Sequence, residues 1–126
     1  MKNLPRISEA EWVVMQILWS HGGLTANAIV QALAGQVRWN PRTIRTLINR
    51  LLNKGAIRFD KEGREYRYRP AVSEEQCTRS ERLSFLGRVY RGATKPMLAA
   101  FLEDARLSKR DIAELKAILE EKGKGA

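Results

Sequence analysis

The 126-residue sequence contains one cysteine, Cys77, and one histidine, His21. A lone cysteine excludes an intrachain disulfide and fits a reducing compartment. One thiol and one imidazole cannot build a thiolate cluster, and no metal-ligand spacing is present, so no metal is expected. Cys77 has no histidine near it in sequence. His21 stands beside Gly22 and Gly23, a surface position at an expected helix end, without a carboxylate or thiol partner. No glycine-rich phosphate loop of Walker or Rossmann form occurs. These absences argue against an enzyme and leave no cofactor to expect. Long apolar runs are missing as well: the start, MKNLPRISEAEW, has none of signal-peptide length, and no stretch is long enough to span a bilayer. A soluble, cytoplasmic chain without membrane insertion is expected, with no repeat, low-complexity tract or long linker.

Acidic residues are scarce in one region. The whole chain has 23 Lys+Arg against 14 Asp+Glu, a net charge of +9. Residues 38–69 hold ten bases (Arg38, Arg42, Arg45, Arg50, Lys54, Arg58, Lys61, Arg64, Arg67, Arg69) and three acids (Asp60, Glu62, Glu65), a net +7. Residues 73–126 hold eleven bases and nine acids, a net +2. Most of the excess positive charge therefore falls in the central quarter, the expected footprint of a phosphate-binding surface, with a merely solvated basic face as the alternative. A hydrophobic share of 44% against 29% charged residues is that of a folded domain rather than a disordered chain.

Helix signals are frequent. Ser8-Glu9-Ala10-Glu11 has the form of a capping box, and Trp12, Met15, Leu18 and Trp19 recur behind it at helical spacing. His21-Gly22-Gly23 ends that helix. Thr25 caps a second, with Ala28, Ile29, Ala32 and Leu33 on its apolar side and Gly35 after it. Asn40-Pro41 starts a third, asparagine being a favoured N-cap and proline a favoured first residue. AIRF and EYRYR then alternate as strands do, around a polar DKEG turn, and Pro70 ends the second strand. Ser73-Glu74-Glu75-Gln76 is another capping box, opening a helix to about Tyr90. Gly92 breaks the chain, Pro96 starts a short helix to about Asp104, and Ser108 caps a last one to about Glu121. The expected fold is mainly α: an N-terminal winged helix-turn-helix of three helices plus a hairpin wing (residues 1–72), then a C-terminal three-helix dimerisation domain (residues 73–126).

The third helix has two distinct faces. At roughly 100° per residue, Ile44, Leu47, Ile48, Leu51 and Leu52 fall within an arc of about 140°. Arg42, Thr46, Asn49 and Asn53 lie opposite, Arg50 nearby, and Thr43 and Arg45 on the flanks; no acid occurs between Trp39 and Phe59. Arginine can donate two bonds to guanine, asparagine can pair with adenine, and a threonine methyl can meet the thymine methyl. In a helix-turn-helix the early turns of the second helix meet base edges and later residues meet phosphates. Arg42, Thr43, Arg45 and Thr46 are therefore assigned to bases or the phosphates beside them, and Asn49 and Arg50 to phosphates. Lys61 and Arg64 are expected at the hairpin tip. Arg67 and Arg69 share one strand face, able to reach phosphates of the adjacent groove. Tyr66 and Tyr68 share the other, where core packing is favoured over base stacking. Trp12 and Trp19 read as core, and Trp39 as either a hydrophobic staple or a backbone contact to DNA.

The C-terminal helices carry more apolar residues than three short helices bury alone. The first offers Cys77, Leu83, Leu86, Val89 and Tyr90, and the second Met97, Leu98, Phe101 and Leu102. The last offers Ile112, Leu115, Ile118 and Leu119. Pairing with a second copy covers them and matches two-fold symmetry to two half-sites; a bundle folded back on its own domain is the alternative. Two other functions stay open from residues alone: a regulator that senses a small molecule directly, and a winged domain used for protein or RNA contact.

The segment NPRTIRTLINRLLNKGAI, with ISEAEWVVMQILW upstream and FLGRVYRGATKPMLAAFLEDARLSKRDIAELKAILEE downstream, resembles the penicillinase-repressor (BlaI/MecI) family. The resemblance covers nearly the whole chain. It implies a winged-helix domain, a helical dimerisation domain, and a homodimer that binds a dyad-symmetric double-stranded operator to block transcription. It also implies release by a membrane-bound sensor peptidase that cuts the dimerisation region, at a bond matching Ala100-Phe101 here. The best-known members have asparagine where Ala100 stands, which leaves open a sensor of different specificity or none. The copper-responsive branch carries clustered C-terminal cysteines, and the tail ILEEKGKGA has none.

Overall fold

The computed structural model describes residues 4–125. Its elements run α1 (Glu9–His21), α2 (Ala26–Leu33), α3 (Pro41–Asn53), β1 (Ile57–Glu62), β2 (Glu65–Pro70), α4 (Glu74–Tyr90), α5 (Thr94–Asp104) and α6 (Lys109–Lys124). The chain divides into two compact units, Met1–Leu83 and Ser84–Ala126, so that α4 belongs in part to each.

In the first unit α1, α2 and α3 enclose a core of Val14, Met15, Leu18, Ile29, Leu33, Ile44, Ile48 and Leu51, all essentially without solvent contact. The helix starts follow local chemistry. The Ser8 hydroxyl accepts from the Glu11 amide while the Glu11 carboxylate accepts from the Ser8 amide, at 3.1 and 2.8 Å. Thr25 Oγ1 accepts from the Ala28 amide at 3.1 Å, and Asn40 Oδ1 from the Thr43 amide at 2.9 Å. The capping box at Ser73 and Gln76 is also formed.

The hairpin is longer than the alternation of AIRF predicts. Asp60, Lys61 and Glu62 lie in β1, opposite Arg67, Tyr66 and Glu65, and the connection is only Gly63-Arg64. Gly63 has φ +61°, the left-handed conformation such a two-residue turn needs. Lys61 is thus a strand residue and Arg64 occupies the turn. The extension has a cause in cross-strand chemistry: Arg67 Nε lies 2.8 Å from Glu62, Arg69 Nε lies 2.7 Å from Asp60, and the Phe59 and Tyr66 rings stand 4.5 Å apart. The two tyrosines separate: Tyr68 is buried in the core, whereas Tyr66 is 44% exposed. Reciprocal backbone bonds between Leu24 and Tyr68, at 2.7 and 3.1 Å, fasten the hairpin to the segment before α2.

Trp19 packs against the core, donates from Nε1 to the Val72 carbonyl at 3.0 Å, and meets Trp12 edge-on at 5.5 Å. Trp39 packs against the same core. Cys77 is the one buried residue of α4, and burial raises its thiol pKa. A scarce thiolate is a poor nucleophile. We expect iodoacetamide at neutral pH to leave Cys77 unmodified in the native protein and to label it fully in denaturant, which mass spectrometry reads directly.

In the second unit the Phe85 ring stacks on Phe101 at 5.8 Å and meets Tyr90 at 5.9 Å, with the Arg88 guanidinium 6.0 Å from the Phe85 ring centre. Ser108 and Asp111 form a third capping box at the start of α6. Neither α5 nor α6 contains a buried residue.

Candidate nucleic-acid interface

The surface of interest is built on α3. Its buried side is Ile44, Leu47, Ile48 and Leu51, four of the five residues placed there from the wheel; Leu52 is half-buried. That anchoring leaves Arg42, Thr43, Arg45, Thr46, Asn49 and Arg50 exposed together along the outer side. None of the six forms an ion pair among the described residues. The Thr46 hydroxyl donates to the Arg42 carbonyl at 3.0 Å, which leaves its methyl as the group free for apolar contact. Arg45 is engaged differently: its Nη2 donates to Asn27 Oδ1 on α2.

The wing is less positive than its arginine count. Arg67 is paired with Glu62, its Nη1 also reaching the Gly23 carbonyl at 3.4 Å, and Arg69 is paired with Asp60. All four side chains are about half exposed, and such pairs contribute roughly 0–1 kcal/mol, so they exchange readily for a phosphate. The strand alternation contained this signal, because Asp60 and Glu62 fall on the same face as Arg67 and Arg69. Arg64, in the turn, is exposed and has no ion pair among the described residues.

Sequence reading missed a second device. Glu11 is 2% exposed, and Lys54 Nζ, at the C-cap of α3, lies 2.6 Å from its carboxylate while donating to the Arg6 carbonyl at 2.7 Å. Burial pushes the Glu11 pKa up, but hydrogen bonds from Lys54 and Ser8 and the Lys54 charge outweigh it, and the net direction is downward. The pair ties the end of α3 to the start of α1. Only the capping-box half of it is visible in local sequence.

The C-terminal residues assigned to pairing are uncovered. Leu83, Val89, Leu98, Phe101, Leu102, Ile112, Ile118 and Leu119 are exposed, and Leu86, Tyr90 and Leu115 are half-buried. Ala100 and Phe101 lie within α5, with Phe101 50% exposed. Among the described residues no three His, Cys, Asp or Glu side chains group as a metal site, and no helix is long and apolar enough to cross a membrane.

Three helices, a two-stranded hairpin fastened to the loop before α2, and an exposed basic and amide face on α3 define a winged helix-turn-helix regulator. The sequence profile described as Penicillinase repressor matches residues 7–121. The chain is 40% identical over 121 residues to the penicillinase repressor of Bacillus licheniformis, covering 96% of this chain and 94% of that one. It is 38% identical over 116 residues to the methicillin resistance regulatory protein MecI of Staphylococcus aureus, covering 92% and 94%. A solution structure of the Bacillus licheniformis BlaI monomeric form in complex with the blaP half-operator superposes with a TM-score of 0.53 at 40% identity, over 60% of this chain and 92% of that one. The chain belongs to the penicillinase repressor family, a family of repressors and not of enzymes.

Proposed function

We propose that this protein represses transcription by binding a dyad-symmetric DNA operator as a homodimer, one α3 in the major groove of each half-site. The observation that carries the reading is the outer face of α3, six exposed Arg, Thr and Asn side chains with no acid paired to any of them among the described residues, seated on the buried Ile44, Leu47, Ile48 and Leu51. Such a face offers bidentate donors, amides and methyls to base edges, and cations to phosphates. A relative held in complex with a half-operator supports the one-α3-per-half-site arrangement. Arg42, Thr43, Arg45 and Thr46 are assigned to bases or neighbouring phosphates; Asn49, Arg50, Arg64 and Arg67 hold the backbone. Arg67 does so by exchanging Glu62 for a phosphate.

Residues 1–72 then form the DNA-binding domain and residues 73–126 the dimerisation domain. The uncovered apolar side chains of α4, α5 and α6 support pairing, because they have no partner within the described chain sufficient to bury them. Release by a membrane-bound peptidase at Ala100-Phe101 fits the state of α5. A protease needs an extended strand, and this 11-residue helix has no side-chain N-cap and no buried residue to hold it against unwinding. The protein acts in the cytoplasm, and relatives named for penicillinase and methicillin resistance point to an antibiotic-resistance determinant as its target.

The test separates the two classes of contact. Thr46→Ala should cost about 1–3 kcal/mol on the operator and relax base preference at one position. Arg64→Ala and Arg67→Ala should weaken operator and random duplex alike and flatten the salt dependence of binding. Fluorescence anisotropy over a salt series reads both. Identical behaviour of the two sets on all duplexes would remove the assignment of base readers.

A further inference from the structure

Of the three arginines within α3, Arg45 is the one held by a side chain from another helix among the described residues. Asn27 stands at the second position of α2, after the Thr25 cap and Ala26, and its Oδ1 accepts from Arg45 Nη2 across eighteen residues of sequence. Arg45 and Asn27 line a crevice of about 190 Å³ between the start of α2 and strand β2 of the wing, whose other wall includes Glu65, Tyr66 and Tyr68. The chemistry of the partner matters. Arg67 and Arg69 of the wing are held by carboxylates, which offset their charge, whereas Asn27 is neutral and Arg45 forms no ion pair among the described residues, Glu65 across the crevice included. Arginine has five N–H donors in a rigid plane, so one bond to Asn27 fixes the plane and leaves four donors unspent.

We propose that Asn27 is a positioning residue for base recognition: it pre-orients the Arg45 guanidinium so that its remaining donors meet a guanine edge as a fixed fork. The inference rests on the reading of Arg45 as a base or near-base contact. An arginine already held in its binding geometry loses less freedom on association, and that gain applies only where the fork finds two acceptors in register. Asn27 therefore sets discrimination more than overall affinity. A merely structural bond between α2 and α3 would act on fold stability and on all duplexes equally.

The experiment uses the full-length protein on operator and on random duplex of equal length. Asn27→Ala should lose about three- to tenfold on the operator, the range of one side-chain hydrogen bond, and less than twofold on random duplex, with unchanged thermal stability and salt slope. Asn27→Asp keeps the acceptor and adds a negative charge, so affinity should fall on both duplexes while their ratio is retained. Arg45→Ala should lose operator selectivity, and adding Asn27→Ala to it should change nothing further. Additive losses in the double variant, or an equal loss on both duplexes in Asn27→Ala, would overturn the positioning role while leaving Arg45 as a reader. Wild-type selectivity in Arg45→Ala would overturn the reading of Arg45 itself, and the inference with it.

Discussion

Replacing Ile118 and Leu119 together by aspartate should yield a folded monomer whose affinity for the full operator is lower by a factor of about a hundred or more. The two side chains are 62% and 61% exposed in the single chain, the most open of its large apolar residues. Both lie on α6, which contains no buried residue, so in the isolated chain the change removes no packing. In a dimer it places carboxylates where apolar surface meets apolar surface. Bivalent binding turns the second half-site contact into an intramolecular event, and losing it forfeits roughly 10²–10⁴ in avidity. Sedimentation equilibrium reads the oligomeric state, circular dichroism the fold, and anisotropy on full and half operators the affinity. The half-operator affinity should stay within about twofold of wild type, since α3 is untouched. A variant that stays dimeric would remove the α6 face from the interface, and a monomer with undiminished operator affinity would remove the bivalent mechanism.

The second large effect concerns the tie between α1 and α3. Lys54→Met leaves the Glu11 carboxylate buried and without its cation, a change that costs about 3–5 kcal/mol for a fully buried pair. Lys54 is 32% exposed and water offsets part of that, so the expected loss lies toward the lower end. The pH dependence carries the signature. Folding lowers the Glu11 pKa, so the unfolded chain binds more protons than the folded one in the range below the ordinary glutamate value. The pair's contribution is thus complete above that value and fades as pH falls through the folded one. Removing Lys54 takes away both its hydrogen bond and its charge, and the slope of stability against pH in this acid range should flatten. Urea melts of wild type and Lys54→Met from pH 7 down to about pH 3 measure both the offset and the slope. Parallel curves would show that Lys54 does not set the Glu11 titration. Operator affinity should fall alongside stability, because this contact holds the C-terminal end of α3 in place.

Several elements were legible locally. The Ser8–Glu11 box, the Thr25 and Asn40 caps and the Ser73–Gln76 box each join residues three apart, and spacing alone identifies them. The two-faced character of α3 follows from helical period, and its exposed Arg, Thr and Asn residues were named from that period alone. The hairpin's two faces follow equally from strand alternation. Its turn was misplaced because DKEG reads as polar loop, whereas Asp60 and Glu62 are held in the strand by arginines across from them. Tyr66 shares a strand face with Tyr68 but lies two residues nearer the turn of the hairpin, beyond the reach of the core.

Local sequence marks the start of every helix but α5, which begins at Thr94 without a side-chain cap rather than at Pro96, and it marks which side of α3 is apolar and that the basic residues concentrate around it. Capping and periodicity act within one or two turns, so these features are written in neighbouring residues. Tertiary structure alone decided which charges remain available on that surface. Glu11 meets Lys54 across 43 residues, Arg45 meets Asn27 across 18, and Trp19 meets Val72 across 53. No period or motif encodes such pairings, since they arise only when separate elements pack on one core. The expected absence of disulfide, catalytic centre and membrane segment came from composition. The difference between an arginine neutralised by a carboxylate and one steadied by an amide came from the fold.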